Sequence, residues 1–104
     1  MTSTEEPHPT TALDEVVHQR VRLGILALLR TGAAMPFTSL RDQLQLSDGN
    51  LNRHLHVLQE AGLVRTARQP GGRTGRTTVG ITTEGRQAID AQFAALRKLI
   101  GDAD

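Results

Sequence analysis

Only three residues, Gln45-Leu46-Ser47, separate two amphipathic segments near the middle of this 104-residue chain. The first, TSLRDQL, sets Leu40 and Leu44 four residues apart. The second, SDGNLNRHLHVLQEAGLV from Ser47 to Val64, sets Leu51, Leu55 and Leu58 at i, i+4 and i+7. Each spacing gathers the leucines on one face of a helix. A connection this short forces the second helix sharply across the first, the helix-turn-helix arrangement. Ser47 suits the N-cap of the second helix, because its hydroxyl can accept from the free N–H groups of the next turn. Asp48 complements the positive end of the dipole, and Gly62 supplies the stop.

The flanking segments complete one domain. Residues 1–11, with Pro7 and Pro9 among Ser and Thr, have too little apolar content to fold and read as an acidic tail. Residues 101–104 read as a second short tail, leaving 12–100 as the folded unit. Leu13, Val16 and Val17 form one short helical face, and Val21, Ile25, Leu28 and Leu29 form another, with a break around His18 to Arg20 and a stop at Gly32. Ala33 to Phe37, interrupted by Pro36, suits a brief edge strand or extended connection. Thr38 or Ser39 is the expected N-cap of the next helix, with Ser39 and Asp42 at capping-box spacing. Beyond Gly62 the period changes: Leu63 to Gln69 and Thr77 to Thr82 carry β-branched residues around PGGRTGR, a β-hairpin with a glycine-rich tip. A final helix opens at Thr82 or Thr83 and aligns Ile89, Phe93, Leu96 and Ile100, widened by Leu99. The class is α+β, mostly α.

Composition removes several functions. The chain has no Cys, which excludes disulfides, thiolate metal sites and thiol catalysis and suits a cytoplasmic setting. No apolar run approaches the roughly 18 residues of a membrane span, and MTSTEEPHPTT lacks the basic and apolar regions of a secretory signal. His54 and His56 form H-x-H, but on a helix these positions point about 200° apart and cannot share an ion; His8 and His18 have no companion at ligand spacing. Ser3, Ser39 and Ser47 fall in a tail and at two caps, not in a nucleophilic grouping. The glycines of residues 70–76 lack the P-loop pattern. No cofactor, metal or enzymatic activity is expected.

The net charge of +1 conceals a division. Glu5, Glu6, Asp14 and Glu15 occupy residues 1–15 with no Lys or Arg, whereas Arg65, Arg68, Arg73 and Arg76 occupy residues 61–83 with no acid. An anionic partner feels that local density, because exposed fields are screened beyond about 10 Å. At about 100° per residue, Gly49, Arg53 and His56 lie opposite the leucine stripe of the second helix, with Asn50 and Asn52 on its flanks. Asn can make two hydrogen bonds to adenine and Arg two to guanine, in a major groove about as wide as a helix. An ordinary solvated face is the competing reading for one isolated helix. The preceding short helix, the tight turn and the Arg-rich hairpin converge on DNA instead. Arg73 and Arg76 flank a hairpin tip suited to phosphate or minor-groove contact.

The runs VRLGILALL (Val21 to Leu29), LSDGNLNRHLHVLQEAGLV and GRTGRTTVGITTEGRQAI (Gly72 to Ile89) together resemble small bacterial winged-helix transcription regulators related to the MarR and ArsR families. The likeness spans about residues 12–100, and its most specific part is the second helix joined to a hairpin ending in T-x-E-G-R, Thr82 to Arg86. It implies a winged helix-turn-helix with a recognition helix over about 47–61, a wing over about 63–82, and a homodimer on a pseudo-palindromic operator. The expected double-stranded DNA contacts are Ser47, Gly49, Asn50, Asn52, Arg53, His56, Arg73 and Arg76. Where similar wings often carry Arg-Pro-Arg, this one has Arg73-Thr74-Gly75-Arg76, and the last helix lacks the His of metal-sensing relatives.

The terminal helix carries more apolar surface than one small domain covers, so the first and last helices are expected to form the dimer through Leu13, Val16, Val17, Ile89, Phe93, Leu96 and Ile100. A repressor occupying a promoter is the leading functional expectation. The alternative is a winged-helix module that binds a protein rather than specific DNA. A small-molecule effector is not identified by the sequence; one would sit between the first and last helices of the dimer.

Overall fold

The computed structural model describes residue 13, residues 15–70 and residues 76–101. Its elements run α1 (Glu15–His18), α2 (Arg20–Leu29), β1 (Met35–Pro36), α3 (Phe37–Gln43), α4 (Asp48–Glu60), β2 (Val64–Gln69), β3 (Arg76–Ile81) and α5 (Thr83–Leu99). The break expected near residue 19 is there. Gln19 is not helical, and its side-chain oxygen accepts from the N–H groups of Val21 and Arg22 to cap α2.

The expected start of α3 is corrected. The helix begins at Phe37, with Pro36 in the cap position and no side-chain cap, so neither Thr38 nor Ser39 plays that part. The fixed φ of Pro36 turns the extended chain directly into the helix. Asp42 does not complete a capping box; it accepts from Arg41.

The turn between α3 and α4, four residues from Leu44 to Ser47, follows from a specific closure. Leu46 N–H bonds to Arg41 C=O at 2.9 Å and Gln45 N–H to Asp42 C=O at 3.2 Å, with Gln45 at φ 56°. This is a Schellman closure with glutamine at a position usually given to glycine. The end of α4 repeats it with glycine: Leu63 N–H reaches Leu58 C=O, Gly62 N–H reaches Gln59 C=O, and Gly62 has φ 77°. Leu58 and Leu63, the pair that brackets this motif, are both buried.

The strands form one antiparallel sheet in the order β1-β3-β2, with Met35 opposite Val79, and Val64 opposite Ile81. One core is shared by the helices and the sheet's inner face. Leu51, Leu55 and Leu58 of α4 join Ile25, Leu26 and Leu29 of α2, Leu40 of α3, Val79 and Ile81 of β3, and Ile89 of α5. Each fully buried leucine or isoleucine removes apolar surface worth about 1.5–3 kcal/mol.

Two residues expected to face a second copy lie elsewhere. Val17 and Ile89 are completely buried in the chain's own core, because α1 and α5 pack on α2 and spend those side chains there. Leu13, Val16, Phe93 and Leu96 are half-buried, while Leu99 and Ile100 are exposed, Ile100 to 82%.

The T-x-E-G-R run is a junction. Thr82 N–H donates to Leu63 C=O, and its hydroxyl donates to Gly62 C=O at 2.7 Å while accepting from Gly85 N–H at 2.9 Å. One threonine therefore caps α5 and fastens it to the end of α4. Gly85 lets the backbones meet: a Cβ there would overlap the Leu63 carbonyl oxygen and press on Ile81. Arg86 closes the other side by donating to Arg30 C=O at the end of α2.

Candidate nucleic-acid interface

Helix α4 presents two chemistries because its core contacts occupy one stripe only. Leu51, Leu55 and Leu58 are buried, while Gly49, Asn50, Asn52, Arg53 and His56 are exposed. Ser47 caps the helix by accepting from Asn50 N–H at 3.1 Å, and Gly49 has open space where a side chain would stand. Asp48 neither caps nor stands alone. Its carboxylate accepts from Arg41 at 3.0 Å, and Arg41 also holds Asp42 at 2.9 Å, so one cation of α3 balances the acid at the front of α4 together with its own neighbour on α3.

The two flanks of α4 face different neighbours. On one, His54 is half-buried with Nδ1 3.5 Å from Nη1 of Arg22, whose Nε donates to Val16 C=O at 2.6 Å. Burial, then the charges of Arg22 and Arg53, lowers the His54 pKa below its ordinary value. On the other, Gln59 donates to Thr66 of β2 at 3.0 Å. One helical turn pair earlier, Asn52 shares that flank and turns toward the hairpin.

Between α4 and the hairpin lies an open groove of about 520 Å³. Pro36, Phe37 and Thr38 line it from the start of α3, Asn52 from α4, and Arg68, Arg76 and Thr77 from the hairpin. Asn52 and Arg76, expected contacts separated by 24 positions of sequence, thus border one space. Arg73 lies outside the described residues. Arg68 and Thr38 were not among the expected contacts. The basic, acid-free run of residues 61–83 carried a signal for Arg68; nothing in the local pattern marked Thr38.

Among the described residues no group of three His, Asp or Glu side chains is placed to hold a metal, and no helix is long and apolar enough to cross a membrane. His54 and His56 diverge, one toward α2 and one to solvent.

A helix-turn-helix braced by a three-stranded sheet, with α4 outward beside a hairpin, defines the winged-helix class. The chain belongs to the winged helix DNA-binding domain family, whose model matches residues 21–100. It is 38% identical over 75 residues to an uncharacterized protein of Methanocaldococcus jannaschii, covering 72% of this chain and 82% of that one. Among solved structures it is similar to a transcriptional regulator homologue from Pyrococcus horikoshii, with TM-score 0.79, 32% identity, and 88% and 90% of the two chains covered. It also shares the fold of MepR from S. aureus, solved as a DNA complex, with TM-score 0.73 and 16% identity over 88% of this chain and 75% of that one. The resemblance to winged-helix transcriptional regulators therefore holds.

Proposed function

We propose that this protein is a sequence-specific DNA-binding transcriptional regulator that acts as a homodimer and represses by occupying a promoter. The observation that carries the reading is the division of α4: three leucines fix it in the core while Gly49, Asn50, Arg53 and His56 stand exposed on a helix end with no acid left unbalanced. A helix held in this way can enter a major groove without disturbing the domain. Two copies related by a two-fold axis would address half-sites about 34 Å apart. MepR, a neighbour in fold, is known as a DNA complex, which supports double-stranded DNA as the partner.

Fluorescence anisotropy with the DNA upstream of the protein's own gene, beside a scrambled duplex, tests this at several salt concentrations. Preferential binding with a log–log salt slope near −5, as about six neutralised phosphates require, is the expected result. Arg53→Ala should cost on the order of 1–3 kcal/mol and relax the preference at one base pair. Absence of salt-sensitive binding by folded protein overturns the reading and favours a protein partner for the exposed end of α5.

A further inference from the structure

Resting on the DNA-binding reading, we infer that Arg22 is a positioning residue for α4: by holding His54 against the corner between α1 and α2 it sets the outer face of α4 for base reading, and protonation of His54 releases that hold. Sequence preference then falls in acid while general attraction to DNA persists.

The geometry begins at the break between α1 and α2. Gln19 accepts from the N–H groups of Val21 and Arg22 and so fixes the backbone on which Arg22 stands. The Arg22 side chain turns back across the break, where its Nε donates to Val16 C=O of α1 at 2.6 Å. The same guanidinium brings Nη1 within 3.5 Å of His54 Nδ1 on α4. One planar group of α2 therefore joins α1 to α4. His54 is half-buried on the inner flank of α4, whereas Arg53, about 100° round the helix, is exposed on the outer face. The two are neighbours in the chain, so a shift at His54 is passed to Arg53 through a single peptide unit.

A guanidinium has donors and no acceptor, so it suits Nδ1 only as a lone pair, which puts the ring proton on Nε2 and leaves the ring neutral. A second proton would occupy Nδ1 and set two cations 3.5 Å apart. Burial, followed by the charges of Arg22 on α2 and of Arg53 on α4 itself, disfavours that proton. From α1 the Val16 carbonyl reaches the cluster, bound to Arg22, and none of the ion pairs among the described residues includes the ring. Helix α4 is tied at two further points, Asp48 to Arg41 and Gln59 to Thr66. Of the three ties, the one to Arg22 contains an imidazole, the side chain that gains charge nearest neutrality. Its loss leaves Leu51, Leu55 and Leu58 in the core but frees the flank beside Arg53. Base contacts depend on that placement far more than attraction to phosphates does.

The test uses the full chain, a duplex selected by the wild type from a random pool, and a scrambled duplex of equal length. The ratio of the two affinities is measured by anisotropy at about pH 7.5 and about pH 5, with circular dichroism confirming the fold at both. Each duplex carries the same phosphates, so the ratio cancels the general gain from an extra positive charge on the protein. The wild-type ratio should fall on the order of tenfold at the lower pH. His54→Asn, whose amide oxygen takes the place of Nδ1 and accepts at either pH, should keep the high ratio throughout. Arg22→Gln should show the low ratio at both. His56→Gln, which removes the exposed histidine of the outer face, should retain the wild-type pH dependence whatever its affinity. A wild-type ratio independent of pH, a fall that persists in His54→Asn or disappears in His56→Gln, or a folded Arg22→Gln protein with the full wild-type ratio at the higher pH overturns the assignment. Failure of the pool to yield any enriched sequence would instead strike the DNA-binding reading itself.

Discussion

Gly85 shows how much one missing side chain can decide. The atom it avoids is a main-chain carbonyl, Leu63 O, which cannot rotate aside as a flexible side chain can. Gly85→Ala must therefore lift the first turn of α5 away from the end of α4, straining the bonds that Thr82 makes to Gly62 and Leu63. A loss of about 2–4 kcal/mol in urea unfolding is expected; an unchanged midpoint would mean that the junction yields freely. Gly49 is the contrast. A Cβ there meets open space, so an effect of a side chain at Gly49 on DNA binding reports the approach of the duplex and not damage to the fold.

At the scale of elements, α4 is held from two sides, by Arg22 of α2 beside His54 and by Thr66 of β2 beside Gln59. The first contact titrates. The His54 pKa is lowered in the folded protein from 6.5, by burial first and then by Arg22 and Arg53. The unfolded chain therefore takes up this proton at higher pH than the folded one. The contribution to stability is whole above 6.5 and is lost as pH falls through the lower folded value. Melting temperature should fall from pH 6.5 toward about 5, and His54→Gln should flatten that part of the profile; a wild-type profile as flat as the variant's would show a ring that remains solvated.

Elements differ in how openly the sequence announces them. The stripe of α4, its Ser47 cap, the Gly62 stop and the hairpin were legible because each is encoded within a few residues. The start of α3 was not, since Thr38 and Ser39 offer good caps locally while Pro36, tied into the sheet opposite Thr78, sets where the helix begins. Gln45 gave no glycine signal for its positive φ. The groove was half legible. Periodicity put Asn52 on a flank, but only the packing of α4 against the hairpin reveals that this flank looks toward Arg68 and Arg76. The same limit applies to Val17 and Ile89, whose spacing marks an apolar face without saying which partner covers it.

At the scale of the whole molecule, the large apolar side chains left exposed among the described residues lie at one end. Leu99 and Ile100 are exposed at the C-terminal end of α5, with Leu96 and Phe93 half-buried behind them. If this end joins two copies, the protein should sediment near twice 11.3 kDa. The paired substitution Leu99→Glu and Ile100→Glu should return it to one copy and roughly halve the salt slope of DNA binding. A variant that keeps the wild-type mass would move the interface elsewhere.

The strand order has a consequence for how the protein is made. β3 lies between β1 and β2, so Met35 waits for Val79 and Val64 for Ile81. A ribosome releasing this chain from its N-terminus exposes the helix pair α3 and α4 well before the strand that closes the sheet beneath them exists. During that interval Leu40, Leu51 and Leu58 lack the cover of Val79 and Ile81, and the nascent chain is at its most vulnerable to chaperone capture or aggregation. Completion of residues 76–81 is thus the moment in synthesis at which the interface first acquires a fixed shape.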